Sequence, residues 1–328
     1  MTAAEILAGF PKLRALVVGD ICLDRWCRYD PTLADKSRET GIPRIAVVSS
    51  EVTPGAGGTV AANLAALGAG EVAVLGVVGY DGFGYELEGS LAARGISRDL
   101  LLHAKIPTFT YTKLINGYTG EEDLPRVDFV HSAPLPVDLE RQLISRLEKV
   151  APDYDVVIVA DQAETSQGGV ITAAVREVLA RLGDSFPRTI FWVDSRMRVE
   201  HFRHVIVKPN QEEAMAASMR ALGRVDFPEL RSYLQAPLLV ITHGAGGALV
   251  LHRRGLTWAR GEAIENPVDI CGAGDSFSAG AALALKVTWD PVAAARFGNL
   301  VASVTIMKKG TGTASPEEVV ARSGPVKL

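Results

Sequence analysis

Six short apolar runs rich in β-branched residues, separated by stretches long enough for amphipathic helices, constrain this 328-residue chain more than any other feature. The runs are LRALVVGD near residue 16, EVAVLGVVG near 75, DYDVVIVAD near 157, TIFWVDS near 192, HVIVKPN near 206 and PLLVITHG near 240. Strands that alternate with helices build βαβ units and a mostly parallel sheet. Most of the runs lack a period of two, as strands covered on both faces should. The expected fold class is therefore α/β, with a central buried sheet flanked by helices. Helices are predicted at about 59–68, 83–94, 138–150, 169–182, 211–222, 273–286 and 291–308.

Two stretches, residues 25–50 and about 105–130, break the alternation. They are more polar and carry Thr, Tyr and Ile at strand-like spacing, with no helix between. A small β layer over one end of the main sheet accounts for both, as an insertion within a single domain spanning 1–328. No repeat of fixed period interrupts the pattern. The tail after Ser315 reads as a short helix and a frayed end.

Composition removes several functional classes. A formal net charge of -4 gives no basic field for nucleic acid or an anionic membrane, so an anionic ligand must be held by local groups. The amino terminus lacks a basic segment followed by a long apolar stretch, and no run reaches the roughly 18 apolar residues of a membrane span. A cytoplasmic protein is the expectation. Cys22, Cys27 and Cys271 cannot all pair with one another and show no zinc-site spacing; they read as buried thiols. The six histidines are scattered, with only His201 and His204 close in sequence.

The segment NPVDICGAGDSFSAGAALALK, residues 266–286, carries the chemistry. A Gly-Ala-Gly turn leads into small, helix-compatible residues and reads as a helix start. Unpaired N–H groups and the helix dipole there bind phosphate without a basic side chain. Gly272 and Gly274 allow close backbone approach. An acidic side chain, Asp275, is then misplaced for anion binding but well placed to take a proton from a hydroxyl attacking a phosphoryl group. The plainer reading is that Asp275 caps its helix. No GxxxxGK[ST] loop occurs, and a dinucleotide GxGxxG/A motif would need Gly or Ala where Phe277, Val60 and Leu249 stand.

GAGDSFSAG resembles the carboxy-terminal signature of the ribokinase-like (PfkB) sugar kinases, and PGAGGTVAANLAALGA at 54–69 resembles their amino-terminal one. Five weaker pieces follow the family order: VVGDICLD, VVGYDGFG, KPNQEE, ITHGAGG and GNLVASVTIMKKGT. The resemblance implies ribokinase-like architecture with a small β-sheet lid. It also implies ATP and Mg²⁺ as cofactors and a sugar or sugar-phosphate hydroxyl as acceptor. By position, Asp275 becomes the catalytic base and Gly272, Ala273 and Gly274 the anion hole. Asp24, placed at the end of the first strand, and the loop residues Gly55, Gly57, Gly58, Thr59 and Asn63 become acceptor contacts. Asn210, Thr242, Gly244, Gly247 and Asn299 fall on nucleotide positions. Glu213 would reach Mg²⁺ through water, and Asp269 would border a monovalent cation such as K⁺. Plainer readings are a turn residue for Asp24, a helix-start pair for Asn210 and Glu213, and a turn aspartate for Asp269.

Relatives carry Gly-Gly after the proline and an asparagine four residues beyond the first glycine, where this chain has Ala56 and Thr59. Threonine offers one hydroxyl where asparagine fixes a donor and an acceptor. Within the family the likeness is greatest to the heptose-phosphate kinase group, through GDICLDRW, TKL, PRVDF, DYDVVIVAD and VDSR. A phosphorylated acceptor needs cations, and the polar insertions supply Arg25, Lys36, Arg38, Arg44, Lys113 and Arg126, of which Lys113 and Arg126 lie in the matched pieces. Against that assignment, QAETSQGG at 162–169 departs from the group's tyrosine, lysine and glycine pattern, and no HxGH nucleotidyltransferase motif occurs. A kinase of an unphosphorylated sugar or nucleoside, and a non-catalytic binding protein, remain as alternatives. A homodimer formed through the lid is expected.

Overall fold

The computed structural model describes residues 1–165, 167–261, 264–324 and 328. Eight strands form the main sheet in the order Gly255–Arg260, Gly247–His252, Leu238–Thr242, Ile206–Val207, Ile190–Ser195, Val156–Asp161, Arg14–Gly19, Glu71–Leu75. The six from Leu238–Thr242 onward are parallel, and the first two form an antiparallel hairpin at the edge. Val156–Asp161 and Ile190–Ser195 are buried at every position, which explains their unbroken apolar runs. One apolar core packs helices such as Gly57–Ala66 and Ala273–Thr288 on one face. The other face is covered by helices that include Val137–Val150 and Ala173–Ser185.

The second sheet has four strands in the order Val127–Phe129, Thr110–Asn116, Ile21–Tyr29, Val47–Ala56. Both irregular insertions enter it, as their composition predicts, but the first runs from Ile21 to Ala56, beyond 25–50 at both ends, while the strands of the second fall within 105–130. Asp24 therefore needs correction: the first strand ends at Gly19, and Asp24 lies inside the next strand, in the lid. The edge hairpin and the helices Ala3–Leu7 and Phe227–Tyr233 are further elements without a counterpart in the sequence reading. The helix Pro316–Ser323 meets the expectation for the tail; the fraying end falls largely on 325–327, outside the described residues.

Helix starts separate structural from exposed termini. Seven helices are capped by the side chain of Thr2, Asp81, Thr172, Asn210, Asp226, Asp290 or Ser315. Gly57–Ala66, Val137–Val150 and Ala273–Thr288 carry no side-chain cap, and the first and last of these start beside one another, Thr59 against Gly272. At these two starts the Gly57 N–H is taken by the Asp20 carbonyl and the Ala273 N–H by that of Ile270, while the next N–H groups, of Gly58 and Gly274, have no partner among the described residues.

Candidate active site

The helix Ala273–Thr288 begins at Gly272, whose φ of 78° is a left-handed conformation suited to glycine. A Cβ on Gly272 would lie 3.4 Å from Cγ2 of Thr59, so the two glycine-containing signatures, far apart in sequence, meet here. The Ala273 N–H reaches the Ile270 carbonyl at 3.2 Å. Asp275 sits in the first turn but makes no capping hydrogen bond, which removes the helix-cap reading. Burial at the cleft base, and then the charge of Asp194, push its carboxyl up to about 7. Among the described residues this carboxyl makes no hydrogen bond, and the charges of Lys208 and Arg196 oppose the rise.

On one side of this turn lies a cavity of about 380 Å³, lined by Ala273, Gly274, Thr242, Gly244, Gly247 and Asn299 among others. These residues come from the helix Ala273–Thr288, the parallel strand Leu238–Thr242, the turn Gly244–Gly246, the edge hairpin and the helix Pro291–Thr305. Four of the five expected nucleotide residues therefore meet around one cavity. Asn299 is oriented by its Nδ2, which donates to the Ala259 carbonyl at 3.0 Å. Gly247 has φ 96°, and a Cβ there would strike the Ala259 carbonyl oxygen at 2.3 Å. Asn210 stands apart from this lining and forms a capping box with Glu213: Glu213 N–H donates to Oδ1 and Asn210 N–H to Oε2, both at 2.8 Å. Among the described residues, the second Glu213 oxygen has no protein hydrogen-bond partner.

On the other side lies Asp24, which faces Tyr111 across the parallel lid pair. Gly55 is needed beside it, since a Cβ would come within 2.4 Å of the Asp24 carboxylate. Burial raises the Asp24 carboxyl to about 6, against the opposing pull of Lys113 and Arg126. Gly57 packs against the Asp20 carbonyl and Ala160, and Gly58 against Pro54. Thr59 and Asn63 do not line the cleft surface. Thr59 is 2% exposed and donates to the Pro54 carbonyl; Asn63 is 0% exposed and donates to the Thr59 carbonyl. Both brace the loop from within: Thr59 turns its hydroxyl back to Pro54 and its methyl toward Gly272, and Asn63, one turn further along the helix, holds the Thr59 carbonyl.

The cations differ from expectation. Arg126 is held bidentately by Asp128 at 2.7 Å through both Nε and Nη2, and lies over the Tyr111 ring. Lys113 lies over Trp26 with Glu122 at 3.7 Å. Arg25 pairs with Glu86. Asp269 accepts the N–H groups of Cys271 at 2.9 Å and Gly310 at 3.1 Å, fixing the turn before the glycines.

Three residues outside the sequence-derived site complete it. Lys208, 4% exposed, bonds to Asp194 at 2.5 Å, and its Nζ lies 3.3 Å from where a Gly274 Cβ would be. Burial alone would discharge this ammonium, but the Asp194 carboxylate holds it charged. Asp194 is fixed in turn by Ser278 of the helix Ala273–Thr288. Arg196 stands nearby, and its charge acts on both Asp24 and Asp275. The available signal for Lys208 was a charge at the end of an apolar strand; nothing in the order of residues aims it at Gly274.

Residues 15–318 match the family model described as pfkB family carbohydrate kinase. The chain belongs to that family and is a carbohydrate kinase by its membership. It is 29% identical over 321 residues to the D-beta-D-heptose 7-phosphate kinase of Bordetella bronchiseptica, covering 95% of this chain and 96% of the relative. It is 28% identical over 334 residues to the bifunctional protein HldE of Pelobacter propionicus. That match covers 98% of this chain but only 66% of HldE. Among solved structures, ribokinase of Thermotoga maritima is similar with a TM-score of 0.71 at 20% identity, over 94% of this chain and 99% of that one. Phosphofructokinase-2 of Escherichia coli, in complex with potassium, gives the same TM-score and identity over 94% and 97%. These likenesses show the ribokinase-like fold.

Proposed function

We propose that this chain transfers the γ-phosphoryl group of ATP to a hydroxyl of a sugar phosphate of the heptose 7-phosphate kind. The observation that carries this reading is Asp275: an uncapped, unpartnered carboxyl near neutrality, between a nucleotide-sized cavity and a cleft containing Asp24. Its role is to accept the proton of the attacking hydroxyl, which Asp24 orients. Gly272, Ala273 and Gly274 receive the transferred group at the helix start, and Lys208 sets a full positive charge beside them. Gly55, Gly57 and Gly58 shape the acceptor loop, with Thr59 and Asn63 bracing it. Thr242, Gly244, Gly247 and Asn299 hold the nucleotide, and Asn210 orders the nearby helix start.

Mg²⁺ supplies charge neutralisation on the phosphates when it is bound. The free oxygen of Glu213 fits a contact through water, and among the described residues no cluster of three or more His, Cys, Asp or Glu offers a cage. A hard cation carried by phosphates and water needs none. Asp269 fits a monovalent-cation border less directly, because both oxygens already serve the backbone. Replacement of potassium by a bulky organic cation should reduce wild-type activity but hardly affect Asp269→Ala; equal sensitivity removes the cation role.

A neutral acceptor is the second reading, supported by the internal acidic partners of Arg126 and Lys113. An ADP-release screen over sugars, sugar monophosphates and nucleosides decides between them. Best turnover with heptose 7-phosphate supports the first reading, and best turnover with a neutral sugar or nucleoside overturns it. Cytoplasmic location accords with the absence, among the described residues, of a helix long and apolar enough to cross a membrane.

A further inference from the structure

The acceptor side of the cleft contains a cation assigned to no role above. Arg196 follows the strand Ile190–Ser195 at its carboxyl end, and its backbone N–H donates to the Asp161 carbonyl, so its base is anchored. Its guanidinium donates through Nε to Gln162 Oε1 at 2.7 Å and through Nη1 to Glu164. Among the described residues its Nη2 has no hydrogen-bond partner. The charge of Arg196 reaches groups on four separate elements: Asp24 and Cys22 on one lid strand, Tyr111 on the next, Glu213 on a helix start and Asp275 on the catalytic helix. Two residues before it, Asp194 bonds to Lys208 and to Ser278 of the helix Ala273–Thr288, which sets Arg196 at the carboxyl end of the sheet beside that helix.

The three arginines around this cleft differ in how firmly they are held. Arg126 pairs with a residue two positions away on its own lid segment, through two parallel 2.7 Å bonds. That local bidentate pair is costly to open. Arg25 is tied to Glu86 of the neighbouring helix and lies over Phe83. Arg196 instead bridges to Glu164, on the loop after Asp161, through a single N–H, with both side chains about half exposed at 52% and 54%. An ion pair so exposed is weak and screened, so a dianion can displace the carboxylate at little cost. The planar fork of Arg196, with Nη1 released and Nη2 already free, then matches two oxygens of a phosphate.

The geometry points to Arg196 as the residue that binds the acceptor's own phosphate, with Glu164 as an internal stand-in that the phosphate displaces. The assignment rests on the reading of the acceptor as a phosphorylated sugar, and it replaces Arg126 and Lys113 as the principal anchor. The loop that carries Glu164 is also the segment, QAETSQGG, that departs from the heptose-phosphate kinase pattern. Glu164 therefore acts as a selectivity device: it lets a dianion in by exchange and keeps Arg196 neutralised when the cleft is empty.

Inorganic phosphate is the probe, measured as a competitive inhibitor against the acceptor, together with the KM for heptose 7-phosphate. Arg196→Gln should weaken phosphate inhibition and raise the acceptor KM by roughly ten- to a hundredfold while leaving the KM for ATP within about twofold. Arg196→Lys should recover part of the loss. Glu164→Gln should act in the opposite direction, strengthening phosphate inhibition several-fold. A positioning role alone would not produce that reversal. The acid limb of kcat/KM gives a second reading, moving to higher pH in Arg196→Gln and to lower pH in Glu164→Gln, because the cation favours ionised Asp275. Phosphate inhibition unchanged in both Gln variants overturns the assignment whatever the substrate. If a neutral sugar is the better acceptor but phosphate still competes through Arg196, the substrate reading fails and the anion site stands.

Discussion

A carboxylate three residues into a helix ordinarily serves that helix, and it does so at Glu213 and Glu318, which close capping boxes. Asp275 occupies the same position without doing so: Gly272 is left-handed at φ 78°, where the caps Asn210 and Ser315 are extended, so its backbone N–H is not turned toward that carboxylate. Free of that bond, its pKa follows burial and the neighbouring negative charges to about 7. The free enzyme should therefore lose kcat/KM as pH falls below about 7, and Asp275→Asn should lower turnover by on the order of 10² to 10⁴ with little change in ATP affinity. Near-normal turnover would reject the base assignment. The linkage sign gives a second check. A folded pKa above the unfolded value contributes stability at acid pH that is lost as pH rises toward about 7. The Tm of Asp275→Asn should therefore gain on wild type between about pH 4 and pH 8; a constant gap contradicts the shift.

At the scale of elements, the junction between the strand Val47–Ala56 and the helix Gly57–Ala66 shows why a departure from the family pattern matters. Ala56 adopts φ 49° and ψ -119°, a region that glycine occupies and L-residues avoid. The family signature that this loop resembles leads to an expectation of glycine here, and in this backbone conformation the Cβ of Ala56 is strained rather than neutral. Relief of that strain exceeds the extra chain entropy of glycine, and Ala56→Gly should stabilise the fold by about 1 kcal/mol. Calorimetry should show a rise in Tm of roughly 2 °C. A lower Tm would mean that the Cβ packing outweighs the backbone strain. The same junction explains Thr59 and Asn63: once the helix starts at Gly57, its pitch turns both side chains inward.

At the scale of the whole molecule, the lid is one layer of sheet with a minimal core of its own, Cys27, Tyr29 and Leu114. Its margins expose Ile42 at 65%, Val48 at 55% and Val127 at 46%. Apolar side chains beside open strand edges favour pairing with a second copy. A homodimer through the lid is expected, and Val48→Asp should shift it toward monomer in light scattering at micromolar concentration. A fully active wild-type monomer would exclude lid-to-lid assembly.

Legibility followed locality. The buried parallel strands, most helices and the GAGD turn were readable because each depends on neighbours within a few positions: apolar runs for two-sided burial, small residues and glycine for a helix start. The placement of Asp24 was misread because Asp20 interrupts a nearly continuous apolar stretch, and only pairing shows that Arg14–Gly19 joins one sheet and Ile21–Tyr29 the other. Sequence spacing likewise named Thr59 and Asn63 but could not tell a cleft-facing side chain from a bracing one. Lys208 meeting Gly274 and Gly272 meeting Thr59 are contacts between segments tens to hundreds of residues apart, and the charge of Arg196 acts on Asp24 and Asp275 over similar separations in sequence. The amino-acid order determined the fold class and the family and pointed to Asp275 as the proposed base; the packing of two sheets decided which charges face it. Electrostatic interaction depends on distance and burial in space, and neither quantity exists until the chain is folded.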